Sequence, residues 1–188
     1  MTEKLYFDYF AQIINKNKYT DVQIELQSAE GNAKTVLNFA EEFMNMEESI
    51  RKYTNYHKYL VFDCDDPPNI QQVILDMLFS DKDYSLLISN YLFEIWLLMH
   101  FEFINEILSK RKIYQHLDGH LTREYKKASV GIIREIIQKG SVDEAIKNAN
   151  ILEEKYKSEG KLINGNIEGM NPYTSVQSLV EQFMVEIS

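Results

Sequence analysis

The first third of the chain contains a regular alternation of apolar and polar positions. In residues 21–27 the apolar Val22, Ile24 and Leu26 alternate with polar neighbours. A period of two is typical of a strand that buries one face, so we expect a strand here with these three side chains in a core. Residues 33–37 follow a polar turn that contains a glycine, and they are the expected returning strand of a hairpin.

Apolar residues at helical spacing predict most of the remaining elements. The predicted helices cover residues 5–14, 39–53, 70–78, 91–108, 121–136, 142–149, 153–159 and 174–187, and a short buried strand covers residues 59–62. The helix at 91–108 is apolar on most sides, so we expect it at the centre of the core. Ser141 and Glu144 form a capping box at the start of the helix that follows Gly140.

Strands occur early in this order and helices late, which predicts an α+β fold. We expect a first domain over residues 1–120, built from a small sheet with helices. An all-helical extension is expected over residues 121–188. Within it, residues 161–172 contain two Gly and three Asn, and this composition predicts a linker.

The composition is that of an ordinary globular protein, with 45% hydrophobic and 26% charged residues among 188. A formal net charge of −9 argues against a nucleic-acid binder and against docking on an anionic membrane. A single Cys excludes an intramolecular disulfide framework. The longest apolar stretch, residues 91–103, is too short to span a bilayer, and the start of the chain lacks a signal-peptide pattern. We therefore expect a soluble protein of the cytoplasm or the nucleus.

Two histidines at helical spacing are the first candidate for metal chemistry. His116 and His120 lie four residues apart with Asp118 between them, a spacing that can chelate zinc on a continuous helix. Gly119 is expected to end the helix here, and the sequence offers no evident third ligand. The favoured interpretation is a pair of surface histidines at a turn.

The acidic run at residues 63–66 is the second candidate, because clustered oxygens are the ligands that calcium and magnesium prefer. The run lacks the spacing of an EF-hand and precedes two prolines, which favours a solvated loop. Cys64 is expected to be a packed thiol rather than a nucleophile. The glycines form no phosphate-binding loop. The residues alone therefore predict no metal, no cofactor and no enzymatic activity.

Several segments resemble the BTB/POZ family of interaction domains. Residues 18–24 are similar to the strand that opens that fold, and residues 49–53 to the end of a following helix. Residues 60–63 and 70–79 are similar to a later strand and helix, and residues 92–108 to the helix pair that follows. The resemblance implies a BTB/POZ-like first domain in front of the helical extension.

The passage at residues 136–146 is similar to the C-terminal part of Skp, a BTB-fold adaptor of ubiquitin ligases. The resemblance therefore implies a protein–protein interaction adaptor, with a cullin as the expected partner. The partner-binding residues that it implies are Ser49, Tyr53, Met99, His100, Phe101, Val142, Ile146 and Phe183.

Two other functions stay open at this point. One is a homodimeric BTB-like scaffold, or a viral effector that sequesters host proteins. The other, less favoured, is a metal-dependent enzyme that uses His116, Asp118 and His120.

The C-terminal helix leads to a testable prediction. Its apolar stripe consists of Val176, Leu179, Val180, Phe183, Met184 and Ile187. Each such side chain gains ~1.5–3 kcal/mol when it is fully buried, so we expect the stripe to pack on the chain's own helical extension. Deleting residues 172–188 should then make the protein unstable or aggregated, measured by thermal melting and by mass in solution. A truncated protein that keeps its melting temperature but loses a partner or a dimer would contradict packing within the chain.

Overall fold

The computed structural model describes residues 1–64 and 69–188. Within these residues the chain forms nine helices around a small mixed sheet of three strands. The helices are α1 (Thr2–Ile14), α2 (Ala33–Met44), α3 (Glu47–Tyr53), α4 (Ile70–Leu78), α5 (Glu94–Met99), α6 (Lys110–His120), α7 (Val130–Lys139), α8 (Val142–Ser158) and α9 (Gln177–Ile187). The strands are β1 (Lys58–Asp63), β2 (Tyr84–Asn90) and β3 (Tyr173–Thr174). The predicted α+β class is confirmed. The expected all-helical extension over residues 121–188 is wrong, because β3 lies within it and pairs with β2.

The strand β2 lies at the centre of the sheet. It runs parallel to β1, with Lys58 opposite Tyr84 and Asp63 opposite Ser89. The short β3 pairs antiparallel with the end of β2, and Thr174 lies opposite Ser89. Parallel neighbours need a crossover connection, which α4 provides between β1 and β2. The carboxyl ends of β1 and β2 therefore meet at one edge of the sheet.

The core is organised around α5 and the residues just before it. Every residue from Leu92 to Met99 is buried. The main hydrophobic cluster extends from Tyr6 in α1 to Phe183 in α9, so it includes both ends of the chain. The division at residue 120 remains a prediction, but the core runs across it.

Local sequence features explain where several helices begin and end. The side chains of Ser109, Ser129 and Ser141 each accept a hydrogen bond from a backbone amide in the first turn of the helix that follows. Such a cap satisfies an amide that would otherwise lack a partner. The predicted end at Gly140 and the Ser141 half of the predicted capping box are confirmed. The Ser141 amide donates to the His100 carbonyl oxygen rather than to the Glu144 side chain. The helix after residue 69 and the strand at residues 59–62 are also confirmed.

The predicted strand over residues 21–27 is wrong. The segment forms no strand and pairs with no strand of the described chain, and Val22 is 37% exposed. The Asn15 side chain makes the backbone hydrogen bonds that a neighbouring strand would otherwise make. It accepts a hydrogen bond from the Ile24 amide and donates one to the Ile24 carbonyl oxygen, each at 2.8 Å. Ile24 and Leu26 are only partly buried against the core.

Three further predictions about elements are corrected. Residues 33–37 belong to the helix α2, which Asn32 caps. The predicted helix at 91–108 shortens to α5, and the one at 121–136 becomes α7, which begins nine residues later at Val130. The strand β2 was missed because it is buried almost throughout and shows no alternation.

The C-terminal helix packs within the chain, as predicted. The helix α9 contacts α1 and α8, and Val176, Leu179, Val180 and Phe183 are buried in the main cluster. No helix among residues 1–64 and 69–188 is both long enough and apolar enough to cross a membrane.

The junction between α7 and α8 leads to a prediction about stability. A Cβ atom on Gly140 would lie 2.7 Å from the Cβ of His100 and 3.0 Å from the His100 carbonyl oxygen. That carbonyl accepts a hydrogen bond from the Ser141 amide at 2.8 Å, so the two segments are held close together. We expect Gly140→Ala to cost about 1–3 kcal/mol of unfolding free energy, measured in urea.

Gly119 provides the matched control, because a Cβ atom there would meet nothing within 4 Å. It lies inside α6, where alanine is the better helix former. Gly119→Ala should raise the unfolding free energy by up to about 1 kcal/mol. Equal effects of the two substitutions would contradict the close packing at Gly140.

Candidate functional site

The candidate site lies at the edge where the parallel strands end. In open sheets, ligands bind outside the carboxyl ends of parallel strands. Asp63 is the last residue of β1, and Asn90 is the last residue of β2. The Asn90 side chain donates to the carbonyl oxygens of Ile167 and Met170 at 2.7 and 2.8 Å. It thereby fixes the segment before β3 against this edge of the sheet.

Glu94 is the central residue of the site. It opens α5 and is completely buried. Its Oε1 accepts a hydrogen bond from the Tyr125 hydroxyl at 2.8 Å and lies 3.3 Å from the Lys127 ammonium. Its Oε2 is also buried but has no hydrogen bond to any described residue. A buried carboxylate is costly unless it is paired and fully hydrogen-bonded, so this oxygen has the capacity to bind a further group.

Two more carboxylates belong to the same electrostatic network. Glu3 interacts with Glu94 and Lys127, and Asp63 interacts with Lys127 and Tyr114. Burial raises the pKa of Glu3, and the negative charge of Glu94 raises it further against the opposing effect of Lys127. Burial alone would lower the pKa of Lys127, but the charges of Glu94 and Asp63 contribute to a net increase. Burial raises the pKa of Tyr114, and Glu94 and Asp63 add to that effect. We call Glu3, Asp63, Glu94 and Lys127 the carboxylate cluster.

Three distant parts of the chain are joined to form this cluster. The Thr2 hydroxyl accepts a hydrogen bond from the Ala128 amide at 3.0 Å, which holds the start of α1 against the loop before α7. Asp118 in α6 accepts a hydrogen bond from the Tyr125 amide. These contacts place Glu3, Tyr125 and Lys127 beside the buried start of α5.

The cluster combines three carboxylates with one ammonium group, so its net charge favours a bound cation. Among the described residues, no three His, Cys, Asp or Glu side chains are grouped closely enough to hold a metal ion by themselves. Magnesium does not need such a group, because it keeps several waters and is commonly bound by one or two carboxylates together with a substrate phosphate. Asp65 and Asp66 of the acidic run lie outside the described residues.

A family model described as RloB-like protein matches residues 1–183. The chain belongs to the RloB-like protein family. Comparison with curated proteins and comparison with solved structures gave no significant match. The resemblance to BTB/POZ is therefore wrong, and the expected cullin partner and ubiquitin-ligase role lose the resemblance that implied them. The missing strand at residues 21–27 agrees with this correction, because that strand was the opening element of the resemblance.

The two histidines of this RloB-like protein do not share Asp118 as a neighbour. Both lie in α6, which continues through Gly119 to His120. Instead they approach Glu102, whose Oε1 lies 2.9 Å from His116 Nδ1 and 3.4 Å from His120 Nε2. The interpretation of a pair near the surface agrees with their partial exposure. The carboxylate that accompanies them was not found from the sequence.

The structure divides the predicted partner-binding residues of the RloB-like protein into two groups. The buried ones are Ser49, Met99, His100 and Phe183, and the half-buried ones are Tyr53, Phe101, Val142 and Ile146. His100 contacts the Tyr6 hydroxyl at 3.1 Å, and burial lowers its pKa to about 3. The first group has little surface to offer a partner in the folded chain. The partner-binding role of the second group stays a prediction.

The sequence contained only part of the signal for the carboxylate cluster. Glu94 is an acidic residue inside a nearly continuous apolar run. Burying a charge in such a position costs free energy, and in many proteins a functional role accounts for it. Nothing local marks Glu3 or Lys127, because contacts between distant segments bring them to Glu94. The sequence presents Asp63 as part of an acidic run, and nothing in it indicates the end of a parallel strand.

The raised pKa of Glu3 predicts how stability depends on pH. In the folded protein Glu3 keeps its proton to a pH above 4.5, the ordinary value that applies to the unfolded chain. The contribution of Glu3 to stability is therefore present below pH 4.5 and is lost as the pH rises through the folded-state pKa. In Glu3→Gln this loss should disappear, measured by urea unfolding between pH 4 and pH 7.

Glu106 provides a control, since it is an exposed glutamate outside the cluster. Glu106→Gln should leave the pH dependence of the unfolding free energy as it is in the parent protein. If Glu3→Gln behaves like Glu106→Gln, Glu3 is not held in the cluster as described.

Proposed function

We propose that this RloB-like protein is an enzyme that uses a divalent cation to act on a phosphate ester, with the carboxylate cluster as its active site. The observation that carries the proposal is the completely buried Glu94, whose Oε2 has no hydrogen bond within the described chain. It lies in a cluster of net negative charge at the carboxyl edge of parallel strands.

The choice of cation follows from the donor atoms. Carboxylate oxygens are hard ligands that suit magnesium, manganese or calcium better than zinc or copper. Glu94, through Oε2, and Asp63 are the residues proposed to hold the ion, and Glu3 adds negative charge beside them.

The choice of a phosphate ester follows from the coordination positions of the ion that the protein leaves open. A magnesium ion held by two carboxylates has open positions, which substrate phosphates commonly fill. The Lys127 side chain is 44% exposed, and its ammonium lies beside the Glu94 carboxylate at the edge of the cluster. An ammonium is a suitable point charge for a phosphate oxygen. The cation would stabilise charge on the phosphate and on an attacking water.

This proposal differs from the expectation drawn from the sequence alone, which was an interaction adaptor without catalysis. That expectation remains a prediction in its general form, without the BTB/POZ fold or a cullin.

Hydrolysis of small chromogenic esters tests the proposal. The full chain is incubated with bis(p-nitrophenyl) phosphate, and separately with p-nitrophenyl phosphate, in magnesium or manganese chloride or in EDTA. We expect release of p-nitrophenol that requires the metal. Asp63→Asn and Lys127→Met should each lower kcat/KM by about 100-fold or more, the usual loss when a transition-state contact is removed.

Lys126→Met is the matched control, because Lys126 is exposed and adjacent to Lys127 in the chain. It should retain the parent activity. Failure to hydrolyse either ester with either metal, or activity that survives in Asp63→Asn, would contradict the proposed site.

A further inference from the structure

A row of aromatic side chains lies outside the core on α2, α3 and the turn that follows. Phe39 and Phe43 stack nearly parallel, with ring centroids 6.0 Å apart. Phe43 lies 5.5 Å from Tyr53, which meets Tyr56 edge-on at 5.2 Å. All four rings are half-buried. We call Phe39, Phe43, Tyr53 and Tyr56 the aromatic row.

These rings pack on one another rather than on the interior. None of them belongs to either hydrophobic cluster of the described chain or to the partly buried side chains packed against those clusters. Met46 and Ile50, in the same region, are 56% and 46% exposed. Several large apolar side chains in one stretch outside the core are typical of an interaction surface.

The charges around the aromatic row are mainly negative. Residues 39–56 carry four glutamates, at positions 41, 42, 47 and 48, against Arg51 and Lys52. Glu47 has a side chain that is 90% exposed, and Glu42 and Glu48 are also exposed. A negative potential beside exposed rings attracts cationic side chains and repels phosphates.

The chain itself shows that a cation fits this surface. The Lys52 ammonium lies 5.0 Å from the centre of the Tyr53 ring and 2.8 Å from Glu25 Oε2. The Tyr53 hydroxyl donates to the same carboxylate oxygen at 2.6 Å. A ring that receives a cation together with a nearby carboxylate is a favourable combination for binding Lys or Arg.

We propose that the aromatic row and the glutamates beside it form a docking surface for a basic segment of a partner protein, one that carries Arg or Lys among apolar residues. The partner's cations would lie over the rings and pair with Glu42, Glu47 and Glu48. Its apolar residues would cover Met46 and Ile50. This surface is separate from the carboxylate cluster, and the inference does not rest on the proposed enzymatic function.

Titration of a labelled peptide tests the surface. The full chain is added to a fluorescent peptide of alternating Arg and Leu, and binding is followed by anisotropy at physiological salt. A second peptide with Glu in place of Arg is the negative control. We expect the Arg peptide to bind and the Glu peptide not to bind.

Two pairs of charge reversals locate the binding. Glu42→Lys with Glu48→Lys changes the surface, whereas Glu106→Lys with Glu124→Lys makes the same change of net charge at exposed positions elsewhere. The first pair should raise the Kd for the Arg peptide about tenfold, and the second should change it less than about twofold. Phe43→Ala, checked for an intact fold by circular dichroism, should weaken binding as well.

Three results would overturn the proposal. The first is no binding of the Arg peptide to the intact protein. The second is equal weakening by the two pairs of reversals, which would reflect net charge alone. The third is that the surface is covered by a second copy of the chain, seen as a dimer that the Glu42→Lys, Glu48→Lys variant dissociates.

Discussion

The structure depends on the burial of one carboxylate, that of Glu94, at the start of the central helix. A charge in this position is tolerated only if the surrounding chain supplies compensation, and Tyr125 and Lys127 supply part of it. To reach Glu94, the loop before α7 must lie against the start of α1, where Thr2 holds it. The need to compensate the buried charge of Glu94 therefore influences how α1, α5 and α7 are arranged around the sheet.

This arrangement separates two kinds of surface. The carboxylate cluster is built by residues far apart in the chain, and its members are fixed by contacts through the core. The aromatic row is built within α2, α3 and the adjoining turn, which contact the sheet through the opposite face of α2. A substitution in one surface is therefore expected to have little effect on the other, since distant sites that share no partners behave nearly independently.

The sequence predicted elements well where a helix buries one face, as in α1 and α4, and where a cap is local, as at Ser141. Prediction from the sequence failed where the pattern indicates that residues are buried but not which contacts bury them. Residues 21–27 alternate because Ile24 and Leu26 rest on the core, although a side chain of Asn15 replaces the neighbouring strand. β2 does not alternate because it is covered on both faces. The cluster around Glu94 could be suspected from a charge in an apolar run, but its partners come from contacts that no local pattern encodes.

The position of β3 affects the order in which the fold is completed during synthesis. Strand β2 emerges from the ribosome long before Tyr173 and Thr174, which cover the far side of its end. The Asn90 side chain likewise cannot make its two hydrogen bonds until Ile167 and Met170, which supply the carbonyl oxygens, have been synthesised. Until then the nascent chain exposes unpaired backbone at that end of an apolar strand, which is a template for pairing with other chains. Contacts between residues so far apart in sequence form slowly, so pairing with another chain at this end of β2 would compete with folding until residues 167–174 are in place.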